Sequence, residues 1–327
     1  MVFAEAETDR ESACASLYNE AMPELPEVET IARGVNKRLR GDRIVQAWFG
    51  SRPQSFKSPP ARQARGLAGC TILDVHRTGK HIVFELGAET HGIRQQNARN
   101  SFPLLPAKNV GKGGAPTSLS PLVTSVAQWI VHLGMTGRLL VTTPEATLAP
   151  HTHARLQLAS GRELRFVDPR RFGRLELREL AHEAPFAAAG AEPLSITATE
   201  FAALFRHRKL AIKAALLNQS LLSGIGNIYA DESLFHAGIR PQKVAGRLTR
   251  AELARLHQAL QSVLTHAIEL GGSSVSDYVD AAGIRGFFQL EHCVYQRTGD
   301  PCRRCQQPIR KTVLAGRGTH YCAQCQH

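Results

Sequence analysis

Four cysteines near the end of the chain set the tightest constraint on its fold. They read Cys302-x2-Cys305 and Cys322-x2-Cys325, with 16 residues between the pairs. A gap of two lets both thiolates of a pair turn onto one ion, and four thiolates fill a tetrahedral shell with no open position. The spacing therefore predicts one structural zinc ion. A disulfide framework is disfavoured, because the first residues carry Glu5, Glu7, Asp9, Glu11 and Glu20 against Arg10 and do not read as a secretion signal. The stretch from Cys302 to Cys325 holds Arg303, Arg304, Arg310, Lys311 and Arg317 and no acid. A metal-closed hairpin presenting guanidiniums suits a phosphate backbone or a nucleic-acid groove.

Charge points the same way. The formal net charge is +12 and the isoelectric point about 9.7, which favours a polyanionic partner. The 327 residues are enough for two cored domains. No apolar run approaches the roughly 20 residues of a membrane span.

Residues 1–22 read as a polar extension. A helix follows Pro26, with Val28, Ile31, Ala32, Val35 and Leu39 at helical spacing and Gly41 to end it. Strands are expected at 44–48, 71–76, 80–86, 129–133, 138–142, 154–158 and 163–167, the last pair joined at Ser160-Gly161. Together they predict an antiparallel β-sandwich over 23–180, broken by a loop at 87–127 that is rich in glycine and proline. From about 195 to 290 the pattern is helical. Short helices are expected at 200–207, 211–218 and 227–236. Thr249 and Glu252 form a capping box for a longer one, which stops at Gly271-Gly272. The finger occupies 293–327. The fold class is α+β.

The run Met22-Pro23-Glu24-Leu25-Pro26-Glu27-Val28-Glu29-Thr30 resembles the start of formamidopyrimidine-DNA glycosylases. Further pieces of that family's pattern follow in order: Arg77-Thr78-Gly79-Lys80, His132-Leu133-Gly134-Met135-Thr136-Gly137 and Asp168-Pro169-Arg170-Arg171-Phe172-Gly173. Then come Gly224-Ile225-Gly226-Asn227-Ile228-Tyr229-Ala230 and the four cysteines. The resemblance runs from Met22 to His327, apart from 87–127.

It implies a helix–two-turn–helix DNA-binding domain at 195–290. It also implies a monomeric bacterial base-excision-repair enzyme, cytoplasmic and nucleoid-associated. Such an enzyme excises 8-oxoguanine and formamidopyrimidines from double-stranded DNA and cuts the strand by β,δ-elimination. Pro23 would be the nucleophile through a free N-terminal amine. Glu24 would protonate the opening sugar, and Glu27 would hold or activate the site. Lys80 would bind phosphate and assist β-elimination, with Arg317 serving the second elimination. Met135, Arg170 and Phe172 would fill the hole left by an extruded base. His151, Arg208, Lys213 and Asn227 would contact phosphates. The stretch 271–289 resembles the loop that closes over the damaged base.

The chemistry is intelligible from the residues. A terminal amine titrates near 7.7–8.0 against about 10.4 for lysine, so roughly a third is free base near pH 7.5. That is a few hundredfold more nucleophile than a lysine supplies. The sequence departs from the family's pattern in two places. As written, 22 residues precede Pro23 and bind its nitrogen in a tertiary amide, so a start at Met22 with removal of that Met is expected. The 87–127 insertion is the second departure. Two alternatives stay open. An endonuclease VIII-like relative would prefer oxidised pyrimidines, against which Leu25 and the Met135/Arg170/Phe172 set argue. A non-catalytic DNA- or ribosome-binding protein would not need Pro23, Glu24 and Lys80.

Overall fold

The computed structural model describes residues 22–51, 56–88, 125–275 and 278–327. The expected extension, apart from Met22, and most of the expected 87–127 loop lie outside the described residues.

Helix α1 (Leu25–Leu39) starts where Pro26 supplies a pre-set φ in the first turn and buries its Val28, Ile31, Ala32, Val35 and Leu39 face. The strands are β1 (Ile44–Phe49), β2 (Thr71–Thr78), β3 (His81–Gly87), β4 (Ser125–His132), β5 (Arg138–Thr142), β6 (Thr152–Leu158), β7 (Glu163–Val167) and β8 (Arg174–Glu179). They form two four-stranded antiparallel sheets, β1-β6-β7-β5 and β2-β3-β4-β8. One core takes side chains from both sheets and from α1, with Phe84, Trp129, Phe166 and Leu177 among them. This is the expected β-sandwich with a leading helix.

Two elements went unread in the sequence. Helix α2 (Pro60–Leu67) buries just Gln63 and Leu67, too narrow a stripe to show as a period. Strand β8 alternates, but its outward residues are charged. Strand β4 also begins earlier than its apolar letters suggest. Ser125 and Gln128 both hydrogen-bond Glu85 on β3, so polar residues extend the ladder. The insertion is shortened accordingly.

The second core gathers α3 (Ala198–Phe205), α4 (Ile212–Leu216), α5 (Asn227–Ala237) and α6 (Arg250–Glu269). The Thr249–Glu252 capping box is present at the start of α6. Leu25, the first residue of α1, belongs to this second core, and Arg77 on β2 pairs with both Glu29 (2.8 Å) and Glu192 (2.7 Å). The two cores are thus tied at the base of α1. The chain ends in a hairpin, β9 (Arg310–Leu314) with β10 (Arg317–Tyr321).

Candidate active site

The cleft beside the start of α1 has a volume of about 850 Å³ and is lined by, among others, Glu24, Lys80, Met135, Phe172, Asn227 and Arg317. The sandwich, the helical domain and the finger all contribute. Pro23 is buried at the root of α1, and Met22 reaches the cleft.

Glu24 is 3 % exposed and accepts from the Ile228 N–H (3.1 Å) and the Tyr229 N–H (3.4 Å) at the start of α5. A helix N-terminus favours a carboxylate, yet this one is pushed up to about 7. Burial is the main cause and Glu27 adds to it, against the pull of Lys80 and the two amides. Glu24 is therefore poised to give and take a proton near neutrality. The approach is close: a Cβ on Gly226 would stand 2.2 Å from the Glu24 Cδ, so a residue larger than glycine would displace the carboxylate.

Glu27 is buried one turn on. It accepts from the Glu24 N–H (2.9 Å), the Ser273 N–H (2.7 Å) and the Tyr229 hydroxyl. Burial raises it above the ordinary carboxylate range, and these donors oppose the rise. Ser273 begins the segment after α6, and a Cβ on Gly272 would meet the Glu27 Oε1 at 2.9 Å. Glu27 therefore joins the start of α1 to that segment. Lys80 is half-buried, and burial holds its ammonium below the usual lysine range while Glu24 and Glu27 pull it back.

At the other end of the cleft, Met135 and Phe172 stand on two loops locked together. Asp168, fully buried, accepts from the Thr136 hydroxyl (2.6 Å) and the Gly173 N–H (2.8 Å). Gly134 has φ +66°, and a Cβ there would lie 2.5 Å from the Gly173 N. The Arg170 guanidinium lies 5.0 Å from the centroid of the Phe172 ring, and Phe172 is 50 % exposed. The three expected side chains are thus brought together.

The cysteines converge as their spacing predicts. Their sulfurs lie within 4.8 Å of one another, with Cys302 and Cys325 at 3.9 Å and Cys305 and Cys322 at 3.4 Å. A zinc–sulfur bond of about 2.3 Å sets tetrahedral sulfurs about 3.8 Å apart, so the four fit one structural zinc.

Known proteins can now be set beside this geometry. Residues 22–175 match the Formamidopyrimidine-DNA glycosylase N-terminal domain, and 189–279 match the Formamidopyrimidine-DNA glycosylase H2TH domain. Residues 299–327 match the Zinc finger found in FPG and IleRS. A formamidopyrimidine-DNA glycosylase of Solibacter usitatus is 41 % identical over 307 residues, covering 93 % of this chain and 99 % of the relative. The chain belongs to the formamidopyrimidine-DNA glycosylase family.

The solved structures agree. A Lactococcus lactis FPG variant bound to Fapy-dG-containing DNA is 31 % identical, with a TM-score of 0.75 over 93 % of this chain and 99 % of that one. The wild-type Lactococcus lactis FPG on DNA containing an oxidised pyrimidine is also 31 % identical, with a TM-score of 0.74 over the same shares. The chain is therefore a DNA glycosylase, and its finger carries one structural zinc.

Not every expected residue of this glycosylase faces the cleft. His151 is exposed at the turn before β6 with φ +63°, and Arg208 is exposed beside α3. Neither lines the cleft. Lys213 corrects the sequence reading. It is 0 % exposed, 2.7 Å from the Asp231 Oδ1, and donates to the Gly318 carbonyl (2.8 Å) and the Thr319 hydroxyl (2.9 Å). An ammonium with three partners and no solvent is not free to meet a phosphate. Asn227 opens α5 and lines the cleft, and its buried Oδ1 has no protein partner among the described residues.

The site also contains residues to which the sequence reading gave no role. Tyr229 and Asp168 sit inside quoted motifs, but their side-chain partners Glu27 and Thr136 lie on other segments. His132 is another. It lines the cleft, accepts from the Gly134 N–H at its Nδ1 (3.1 Å), and is held down to about 3, mainly by burial. Outside the finger, an acid–imidazole–thiol group, Glu232, His236 and Cys293, is committed internally. Glu232 caps the backbone N–H groups of Cys293, Val294 and Tyr295 at 2.8–2.9 Å.

Proposed function

We propose that the chain excises 8-oxoguanine and formamidopyrimidines from double-stranded DNA and then cleaves the abasic strand by β,δ-elimination through a Schiff base on Pro23. The observation that carries this reading is the buried Glu24, raised to about 7, which lines the cleft and follows the buried Pro23 directly in the chain. The Pro23 amine would attack the sugar C1′, expelling the base, while Glu24 hands a proton to the sugar ring oxygen as it opens. The resulting iminium acidifies the C2′ proton. Loss of that proton expels the 3′-phosphate, and a second elimination expels the 5′-phosphate. Lys80, its pKa lowered by burial, lines the same cleft and would bind phosphate and assist the β-elimination. Arg317 from the finger would serve the second elimination.

Met135, Arg170 and Phe172 would occupy the gap in the stack, replacing contacts worth a few kcal/mol. Asn227, with His151 and Arg208 farther out, would hold phosphates. Glu27 would couple the nucleophile's helix to the 271–289 segment over the lesion. The mature domains would be the sandwich (23–180), the helical domain (195–290) and the finger (293–327). The chain would work as a monomer in the bacterial cytoplasm, at the nucleoid. No described helix is long and apolar enough to cross a membrane.

The nucleophile must be free, so residues 1–22 would be absent from the active protein. Intact mass of the protein from its native host, paired with borohydride trapping on an 8-oxoguanine duplex, tests this directly. A mass beginning at Pro23 and a trapped adduct are expected, and Pro23→Gly should lose both trapping and excision. A chain beginning at Met1 that excises without trapping would refute the nucleophile. The Lactococcus lactis complex with an oxidised pyrimidine favours a broader substrate range as a second reading. Parallel excision assays on pyrimidine-glycol and 8-oxoguanine duplexes separate the two.

A further inference from the structure

The strand just behind the finger's Arg317 is held by a grip that the zinc does not supply. The hairpin tip is a two-residue turn, Ala315 (φ +48°) and Gly316 (φ +71°), of the kind that matches strand twist. Arg317 is the first residue beyond it. Cys322, the zinc ligand just past the end of β10, is five residues away, or about 16 Å along a strand at about 3.3 Å per residue. A metal at that distance anchors the base of the hairpin and leaves its tip to be placed by something else.

Behind Arg317, three consecutive residues are engaged by one buried ion pair from the helical domain. Lys213 on α4 donates to the Gly318 carbonyl (2.8 Å) and the Thr319 hydroxyl (2.9 Å). Asp231 on α5 accepts from the His320 N–H (2.8 Å), with the His320 Nδ1 at 3.3 Å. Lys213 and Asp231 are 2.7 Å apart, and both are fully buried. The His320 ring meets Tyr295 edge-on at 5.2 Å, and Tyr295 and Arg317 both line the cleft. Asp231 lies on the same helix whose first N–H groups hold Glu24. One rigid element thus holds both the acid of the cleft and the strand that carries the finger's arginine.

We propose that the buried Lys213–Asp231 pair is the positioning device for Arg317, setting its height in the cleft without itself touching DNA. The proposal rests on the reading of Arg317 as the group that serves the second elimination. A buried pair of this kind holds geometry well, because neither charge tolerates losing its partner.

The experiment compares wild type, Arg317→Ala, Lys213→Met and Thr319→Val, each in the form of the chain that traps abasic DNA. Borohydride trapping, the ratio of δ- to β-elimination product, and zinc per chain are measured together. Arg317→Ala should lower the ratio at least tenfold. Lys213→Met should lower it about fivefold, with trapping within threefold of wild type and one zinc per chain retained. Thr319→Val removes a single acceptor with little change of shape and should lower it about twofold. If Arg317→Ala leaves the ratio unchanged, the reading of Arg317 fails. If Arg317→Ala lowers it and Lys213→Met does not, the positioning proposal is overturned. Equal losses of trapping and of both products in Lys213→Met would mean a general structural role and would also overturn it. Should Lys213→Met fail to fold, Thr319→Val decides alone, and an unchanged ratio counts against the proposal.

Discussion

The two ends of the cleft are built in opposite ways. At the α1 end, Glu24 and Glu27 are sealed from water and surrounded by backbone N–H donors. At the far end, Met135 and Phe172 stand partly or half exposed, while the loops beneath them are locked by the buried Asp168. The difference fits the role proposed for each end. A proton donor near neutrality needs a protonation state set by burial. Side chains that replace a flipped base must be bare in the free protein, so rigidity is placed in their backbone instead.

The largest test of this contrast is at Glu24. Glu24→Gln should slow excision by about 10²–10⁴-fold, measured as single-turnover base release, because it removes the acid and keeps the shape. The pH dependence follows from the sign of the shift. Glu24 is protonated below about 7 and the terminal amine is free above about 8, so excision should peak at about pH 7.5 and fall on both sides. In the Gln variant the alkaline limb should vanish. Retention of that limb would show that another group supplies the proton.

Gly226→Ala comes next. Its Cβ needs the space of the Glu24 Cδ, and a displacement on the order of 1 Å in a catalytic group costs about 10²-fold. An alanine variant with wild-type excision would mean that the carboxylate position is not critical.

Asp168→Asn keeps the volume but disturbs the acceptor of two hydrogen bonds. A loss of about 1.5–3 kcal/mol in denaturant-unfolding stability is expected, with excision impaired more than in Phe172→Ala. Phe172→Ala itself should leave stability within about 0.5 kcal/mol, since the ring is half exposed, yet slow excision from duplex DNA about tenfold. If Phe172→Ala costs stability and spares excision, the contrast between the two ends is wrong.

Much of this was legible in the chain because it is local. Strand 138–142 falls where its β-branched run places it, 163–167 follows the turn at Ser160-Gly161, and α6 starts at its Thr249–Glu252 box. The zinc ligands follow from two short gaps and one long one. What was not legible depends on context. Helix α2 has too few buried positions to show a period, and the start of β4 is written in polar letters because Glu85 on the neighbouring strand receives them. Lys213 reads as a phosphate contact only because it falls where the resemblance places one. Its burial comes from Asp231, 18 residues on, and from a hairpin more than 100 residues away.

The sequence by itself therefore determined the family and the zinc shell, and it carried the motif from which the Pro23–Glu24 pair is proposed, since each is a short-range pattern of residue types. The tertiary structure alone decided that Glu24 is held near 7, that Gly226 must be glycine, and that Lys213 serves the finger and not a phosphate. The reason is physical. A side chain's charge state and available space are set by whatever surrounds it. Here the partners of Glu24 lie 204 and 205 residues along the chain, and that of Glu27 in the 271–289 segment lies 246 residues along.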